Sequence, residues 1–311
     1  MHGRALGVAA ALFYIFLWAS AFVPSKIGVL GTSPLWFLVV RFAVAGLLAL
    51  AVARALGARM PRTRKDWVAV AVLGILGNAV YLGCTYVALR HLASGVGAIV
   101  TSTNPLTLAL VAPWLLGEPL TRNKIAGMLL GFGGVVWIMG VRAGSGSAEA
   151  GDVAIAFVGV LGSVASTIVF KRWCADLDLR AVNSLQLFTA GFVLLPLAIA
   201  FEGKPHAVWS WQLIVSFWYV VLVMSLGASV LWFWLLTHGE ASRVSAYYFL
   251  TPVFGLALAA LLLREPVGIR DLGGLIAIAL GISLVQRSSN VKVTSPSVTL
   301  SLSKGAPPSS T

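Results

Sequence analysis

Long apolar stretches run along nearly the whole chain, each closed by a short polar, glycine or proline break. A bilayer core needs about 20 apolar residues per helix. Ten stretches meet that length: 5–25, 34–55, 67–88, 93–115, 122–140, 152–172, 181–201, 210–236, 242–263 and 270–286. The pattern predicts an all-α integral membrane protein with ten transmembrane helices. The connections are too short for a soluble domain. From Ser288 the chain turns Ser/Thr/Pro-rich and loses apolar periodicity, so 288–311 reads as a disordered C-terminal tail. Arg4, an apolar stretch and Ala19-Ser20-Ala21 have the outline of a cleavable leader. The apolar run continues through Phe22 and Val23, however, and favours a retained helix.

Composition sharpens this picture. Of 311 residues, 59% are hydrophobic and 10% charged, and the mean hydropathy is +0.94. A soluble globule could not cover that much apolar surface with so few charges. The net charge of +12 invites a nucleic-acid reading. Its distribution argues otherwise, because basic residues fall singly or in small groups between apolar runs. The densest group is Arg54, Arg59, Arg62, Arg64 and Lys65. With the N-terminus in the cytoplasm, 15 Lys and Arg fall on that side and 6 on the other. That bias predicts both termini in the cytoplasm of a bacterial-type inner (plasma) membrane. Trp36, Trp67, Trp114, Trp173, Trp209 and Trp211 lie near predicted helix ends, where an amphipathic ring favours the interface. Trp18, Trp232 and Trp234 lie deeper. Two cysteines, Cys84 and Cys174, make no disulfide framework.

The chain also repeats itself. Residues 89–138 align with 236–285 without a gap, at an offset of 147. Leu89/Leu236, His91/His238, Pro105/Pro252, Ala112/Ala259, Leu115/Leu262, Leu116/Leu263, Glu118/Glu265, Pro119/Pro266, Gly127/Gly274 and Gly134/Gly281 are identical pairs. A shared Pro, a Glu-Pro pair thirteen residues on and two later glycines are not chance apolar matches. The organisation predicted is a first five-helix repeat over 1–140, a linker over 141–151 and a second five-helix repeat over 152–287. Five is odd, so the second copy must enter the membrane in the opposite sense. Inverted repeats of this kind point to transporters.

Trp18-Ala19-Ser20-Ala21-Phe22, Arg41-Phe42, and Pro105 followed by Leu116-Gly117-Glu118-Pro119 resemble an EamA repeat. The second copy carries Pro252 followed by Leu263-Arg264-Glu265-Pro266. The resemblance covers about residues 5–286 and extends to the drug/metabolite transporter superfamily. Within it, the chain is most similar to YddG-type exporters of aromatic and other amino acids. The resemblance implies ten helices, cytoplasmic termini and a central cavity between two halves.

Candidate chemistry is sparse. Asp66, Glu118, Glu149, Asp152, Asp176, Asp178, Glu202, Glu240, Glu265 and Asp271 all fall in loops or at helix ends. An intramembrane carboxylate usually marks a proton or cation pathway, so carboxylate-based coupling is not expected. Arg41 is the one charge well inside a helix. It either pairs with a substrate carboxylate or snorkels and binds backbone carbonyls. His91 and His238 lie at helix ends and suit a structural or interface role better than a proton relay. Glu118-Pro119 and Glu265-Pro266 read as structural, each glutamate near the N-terminus of the helix that follows it. Gly127, Gly131 and Gly134, with Gly274 and Gly281, read as close-packing faces. No HExxH, Walker loop, G-x-S-x-G or clustered Cys/His set occurs, so no enzyme, metal or cofactor is expected.

Polar residues inside the remaining helices fall on shared faces. Ala98, Thr101 and Asn104 precede Pro105, and their repeat partners Ser245, Tyr248 and Thr251 precede Pro252. Asn78, Tyr81 and Thr85 share a face of the third helix; Ser225, Ser229 and Trp232 share one of the eighth. Pro105 and Pro252 free the carbonyls of Thr101 and Tyr248, which must meet protein, water or substrate rather than lipid. The expected substrate cavity is therefore lined by Thr101, Asn104, Tyr248 and Thr251, flanked by Asn78, Tyr81, Ser225 and Trp232, with Trp18 and Arg41. Interhelical hydrogen bonding is the competing use of these groups. The function expected is secondary transport or facilitated flux of a small organic molecule by alternating access. Export of aromatic and other neutral amino acids comes first, sugars or nucleosides second, and a membrane-embedded enzyme or assembly factor third. The expected partners are that small molecule and the lipid bilayer, not nucleic acid; the sequence leaves the oligomeric state open.

Overall fold

The computed structural model describes residues 2–92, 99–142, 150–254, 257 and 269–287. Among the described residues the regular elements are all helices, with one isolated antiparallel bridge between Thr32 and Ala207. It comprises α1 (His2–Ser20), α2 (Phe22–Gly31), α3 (Pro34–Ala55), α4 (Arg64–Gly74), α5 (Tyr81–Leu89), α6 (Asn104–Leu116) and α7 (Arg122–Arg142). Then follow α8 (Ala150–Val169), α9 (Leu179–Glu202), α10 (Trp211–Tyr219), α11 (Ser229–His238), α12 (Ala241–Ser245) and α13 (Ile269–Arg287). Among the described residues, seven helical spans are long and apolar enough to cross a membrane. The residues expected at Ala98, Ala259, Leu262, Leu263, Glu265 and Pro266, and the tail 288–311, lie outside the described residues.

Local sequence explains the helix ends. Pro34 opens α3, where its missing N–H costs nothing. Thr63 and Asp66 cap α4 reciprocally through each other's backbone N–H groups. Asp178 caps α9 and Ser210 caps α10. Gly117 closes α6 at φ 67°, a conformation that needs no Cβ. Two of the predicted segments pass through wider π-helical turns at mid-length without breaking the helical run. Ile75–Val80 bridges α4 to α5, and Val220–Ala228 bridges α10 to α11. A third π turn, Phe170–Cys174, ends α8. The outer surface is apolar: Trp114, Phe192, Phe201 and Trp209 are the most exposed large hydrophobics. Such a surface suits lipid, where apolar side chains lose nothing by exposure.

Two helix pairs organise the packing. α9 lies along α3, and α13 lies along α7. In the second pair, a Cβ on Gly127 would stand 2.5 Å from the Gly281 carbonyl oxygen, and one on Gly134 would stand 2.7 Å from that of Gly274. Position 127 meets 281 and position 134 meets 274, so the two helices run in opposite directions. The contact is reciprocal, since Gly127 and Gly274 are repeat partners, as are Gly134 and Gly281. α3 and α9 repeat the device: Gly46 abuts Phe188, and Gly191 abuts Phe42.

Glutamates tie distant segments together. The Glu118 carboxylate accepts from the backbone N–H groups of Ala241 and Ser242, and from the Ser242 hydroxyl. This corrects the sequence reading. Glu118 serves the N-terminus of α12, in the other half of the chain, and not the next helix α7. The buried Lys124 joins it, donating to Glu240 at 2.6 Å and to Ser242 at 2.9 Å. Glu202, at the end of α9, accepts from the N–H groups of Leu35 and Trp36 at the start of α3, at 3.0–3.1 Å. Each carboxylate meets orphan donors at a helix start, where the dipole also favours it.

Candidate functional site: a cavity between the two halves

Five aromatic rings meet where the halves face each other. Tyr14 and Trp18 lie four residues apart on α1, so they share one face. Tyr81 opens α5, Trp232 lies on α11, and Tyr248 sits in the 3-10 turn Ala246–Leu250. Tyr14 stacks on Trp232 at 5.2 Å, and Trp18 stacks on Tyr81 at 6.1 Å. Tyr248 stands edge-on to Tyr14, Trp18 and Trp232 at 5.3–5.9 Å. Its hydroxyl shares a 2.6 Å hydrogen bond with that of Tyr14.

Helix interruptions bring the polar groups in. In the first half the helical run 99–116 breaks into a turn at Ser102 and Thr103, just ahead of Pro105. In the second half, residues 246–250 tighten into 3-10 geometry ahead of Pro252. Both breaks fall where the prolines remove a helical donor. A small recess lies against them, bordered by Trp18, Tyr81, Thr101, Ser102, Asn104, Tyr248, Thr251 and Pro252. The Asn104 amide donates to Ser163 at 2.7 Å. The Thr251 hydroxyl oxygen is buried without a hydrogen-bond partner among the described residues. Such an atom usually awaits a water or a ligand.

A larger cavity of about 810 Å³, counting its open mouth, shares Trp18, Tyr81 and Thr101 with the recess. Its walls add Phe22, Ser25, Leu82, Thr85, Tyr86, Leu89, Leu92, Met224 and Arg41. Apolar walls with a few placed polar groups are the usual make-up of a small-molecule site.

Arg41 is 6% exposed and belongs to a buried polar chain. Its Nε donates to the Ser225 hydroxyl at 3.0 Å and its Nη1 to the Tyr86 hydroxyl at 3.0 Å. Tyr86 donates onward to Ser25 at 2.8 Å. On the other side, Asn183 donates to the Ser225 carbonyl at 2.9 Å and accepts from Gln186. Gln186 in turn accepts from Asn78 at 3.0 Å. The chain satisfies buried groups that lipid could not.

The sequence-predicted residues therefore separate into two groups. Thr101, Asn104, Tyr248, Thr251, Tyr81, Trp18 and Pro252 meet at the recess, and Arg41 borders the larger cavity. Asn78, Ser225 and Trp232 stand behind them, bonded to Gln186, to Arg41 and against Tyr14. Pro105 is buried at the start of α6. Sequence reasoning missed Tyr14, Tyr86, Asn183 and Gln186. Tyr14 had a legible signal, a polar aromatic one turn before Trp18. Asn183 and Gln186 are three apart inside an apolar helix, which places both on one face.

At the cavity's rim, Lys26 donates to the Leu89 carbonyl at 2.7 Å. In the second half, Lys171 donates to the Leu236 carbonyl at 2.9 Å and to that of Gly239 at 2.8 Å. Leu89 and Leu236 are repeat partners, so a lysine of the first segment of each half satisfies the end of the third. His91 meets Asp152 at 3.2 Å, and His238 is bonded to the Trp234 carbonyl. Both histidines thus serve helix ends.

Comparison with known proteins identifies the family. The profile of the EamA-like transporter family matches residues 5–140 and again 151–287. The uncharacterized transporter YvbV of Bacillus subtilis is 28% identical, over 90% of this chain and 91% of its own. The protein PecM of Dickeya dadantii is 28% identical, over 81% of this chain and 83% of its own. The uncharacterized inner membrane transporter YedA of Escherichia coli is 26% identical, over 88% and 86%. A crystal structure with 20% identity superposes at a TM-score of 0.73, covering 91% of this chain and 97% of the other, and supports the fold. With its profile matched over both halves, this chain belongs to the EamA-like transporter family: it is a multi-pass membrane transporter of small molecules and not an enzyme.

Proposed function

We propose that this transporter is a secondary carrier or facilitator that exports neutral amino acids, aromatic ones included, by alternating access of two inverted five-helix halves. The halves span 1–140 and 152–287, with ten membrane-spanning helices and both termini in the cytoplasm of a bacterial-type inner membrane. One observation carries this reading. The recess at the helix interruptions takes Trp18, Tyr81, Thr101 and Asn104 from one half and Tyr248, Thr251 and Pro252 from the other. A site built from both halves changes whenever they rock against each other. The inversion is supported by the antiparallel register of Gly127 with Gly281 and Gly134 with Gly274. Orientation rests on the 15-to-6 excess of Lys and Arg. Stacked rings around a few hydroxyls and amides suit neutral or zwitterionic molecules with a flat apolar part.

The test is flux in liposomes holding only this protein, with a panel of aromatic and aliphatic amino acids, sugars and nucleosides. Uptake of aromatic amino acids, lost in Tyr248→Ala and Asn104→Ala at normal membrane expression, is the expected result. Flux of sugars or nucleosides alone would replace the substrate assignment. Normal flux in both variants would remove the recess as the site.

A further inference from the structure

We propose that Arg41 is the carboxylate receptor of the cavity, so that the cargo is recognised as an aryl or alkyl carboxylate and its amino group is not required. The proposal rests on the transport reading above and narrows its substrate class. Arg41 sits inside α3 and borders the larger cavity. Its two hydrogen-bond acceptors, the hydroxyls of Ser225 and Tyr86, are both neutral. Among the described residues, no carboxylate stands within ion-pairing distance of it. The charge is held by two hydroxyls and by the face of the Phe42 ring, 5.4 Å from its guanidinium carbon, and has no anionic partner among the described residues.

A cation in apolar surroundings strongly favours an anionic partner. The guanidinium fork is suited to this, because two of its N–H groups can take both oxygens of one carboxylate. Here Nε and Nη1 are engaged, while Nη2 makes no hydrogen bond to a described residue. Trp18 and Tyr81, which stack on each other, also border this cavity and give it aromatic surface for the apolar end of such a molecule. The opposite specificity has no structural support. Among the described residues, neither the recess nor the larger cavity is bordered by an acidic side chain that could hold an ammonium. A strut role alone, joining α3 to α5 and to Ser225, needs hydroxyl acceptors but no cationic donor at the cavity wall.

The experiment measures ligand-induced shifts in the unfolding temperature of the detergent-solubilised protein. The probes are phenylalanine, 3-phenylpropionate, phenethylamine and phenylalaninamide. The two carboxylates should stabilise the wild type, and the amine and amide should bind tenfold or more weakly, the usual scale for one lost charge-assisted pair. Arg41→Gln should abolish the carboxylate response, and Arg41→Lys should keep a weaker one. Equal stabilisation by phenethylamine, no response to any probe at millimolar concentration, or an undiminished response in Arg41→Gln would overturn the proposal. The wild-type comparison decides even if Arg41→Gln does not fold. Amino acid flux without carboxylate preference would sink this inference and leave the transport reading intact. Carboxylate binding without flux of any amino acid would do the reverse.

Discussion

Gly127 packs against Gly281 so closely that a Cβ on either residue would stand 2.5 Å from the other's carbonyl oxygen. No neighbouring side chain could move aside to relieve that contact, because the obstructing atom is backbone. The same helix carries Gly133, where an added Cβ meets nothing within 4 Å. Gly127→Leu is therefore expected to destabilise the protein by roughly 1–3 kcal/mol or more, the usual range for overpacking. Gly133→Leu should be neutral. Thermal unfolding in detergent, compared for the two variants, checks this; equal unfolding temperatures would mean that the α7–α13 contact is not as close as described.

The hydroxyl pair of Tyr14 and Tyr248 makes a second prediction. Changing either tyrosine to Phe leaves the other hydroxyl, in a partly buried position, without its partner, at a cost of about 1–3 kcal/mol. Changing both removes the polar groups together. Tyr14→Phe and Tyr248→Phe should each lower the unfolding temperature, and the double variant should recover most of the loss. Additive losses in the double-mutant cycle would contradict a direct bond.

Glu118 reaches across to Ala241 and Ser242 and so couples the two halves at one end. Glu118→Gln keeps an acceptor oxygen but gives up the charge that favours a helix start. Glu118→Ala leaves buried N–H groups without a partner and should cost about 1–3 kcal/mol. The expected order of stability is wild type, then Gln, then Ala. Protease sensitivity near α12 should rise in the same order.

The acidic side chains that the structure describes lie at helix ends and loops, and none borders the recess or the larger cavity. Flux down a substrate gradient should therefore be unchanged when the proton gradient is collapsed with an uncoupler. Loss of flux on adding the uncoupler, traced to one essential carboxylate, would show proton coupling instead.

A pH dependence follows from Asp178. Its carboxylate accepts from the Arg180 side chain at 2.8 and 3.0 Å, and from the backbone N–H groups of Arg180 and Arg59 at 3.0 and 3.1 Å. The hydrogen bonds from Arg180, chiefly, hold its pKa down at about 2. A lowered carboxylate pKa stabilises the fold above its ordinary value, and the gain is lost as pH falls from about 4 towards the folded pKa. Asp178→Asn keeps a good N-cap but removes the charge. Its unfolding temperature should fall less steeply than the wild type's below about pH 4. Parallel curves for the two proteins would refute the linkage.

The site was partly legible in the sequence. The two prolines, at matched positions of the repeat, mark where a helix must break, and the residues just before them do line the recess. Asn78 shares a face with Tyr81, and Ser225 shares one with Trp232, yet Asn78 is bonded to Gln186, Ser225 to Arg41, and Trp232 is stacked on Tyr14. A helical face says which residues look the same way. It does not say which neighbour stands there.

Taken alone, the sequence determined the membrane class, the repeat, the glycine faces and the proline breaks. All of these follow from local periodicity or from a comparison of one stretch with another, and need no knowledge of distance in space. The tertiary structure decided the partners. Asn78 bonds Gln186 across 108 residues, Tyr14 bonds Tyr248 across 234, and Glu118 caps a helix that begins at Ala241. Apolar helices of similar composition can pack on one another in many orders, and residue spacing does not distinguish them. The packed halves select one order, and with it the few polar groups that lipid cannot satisfy find one another.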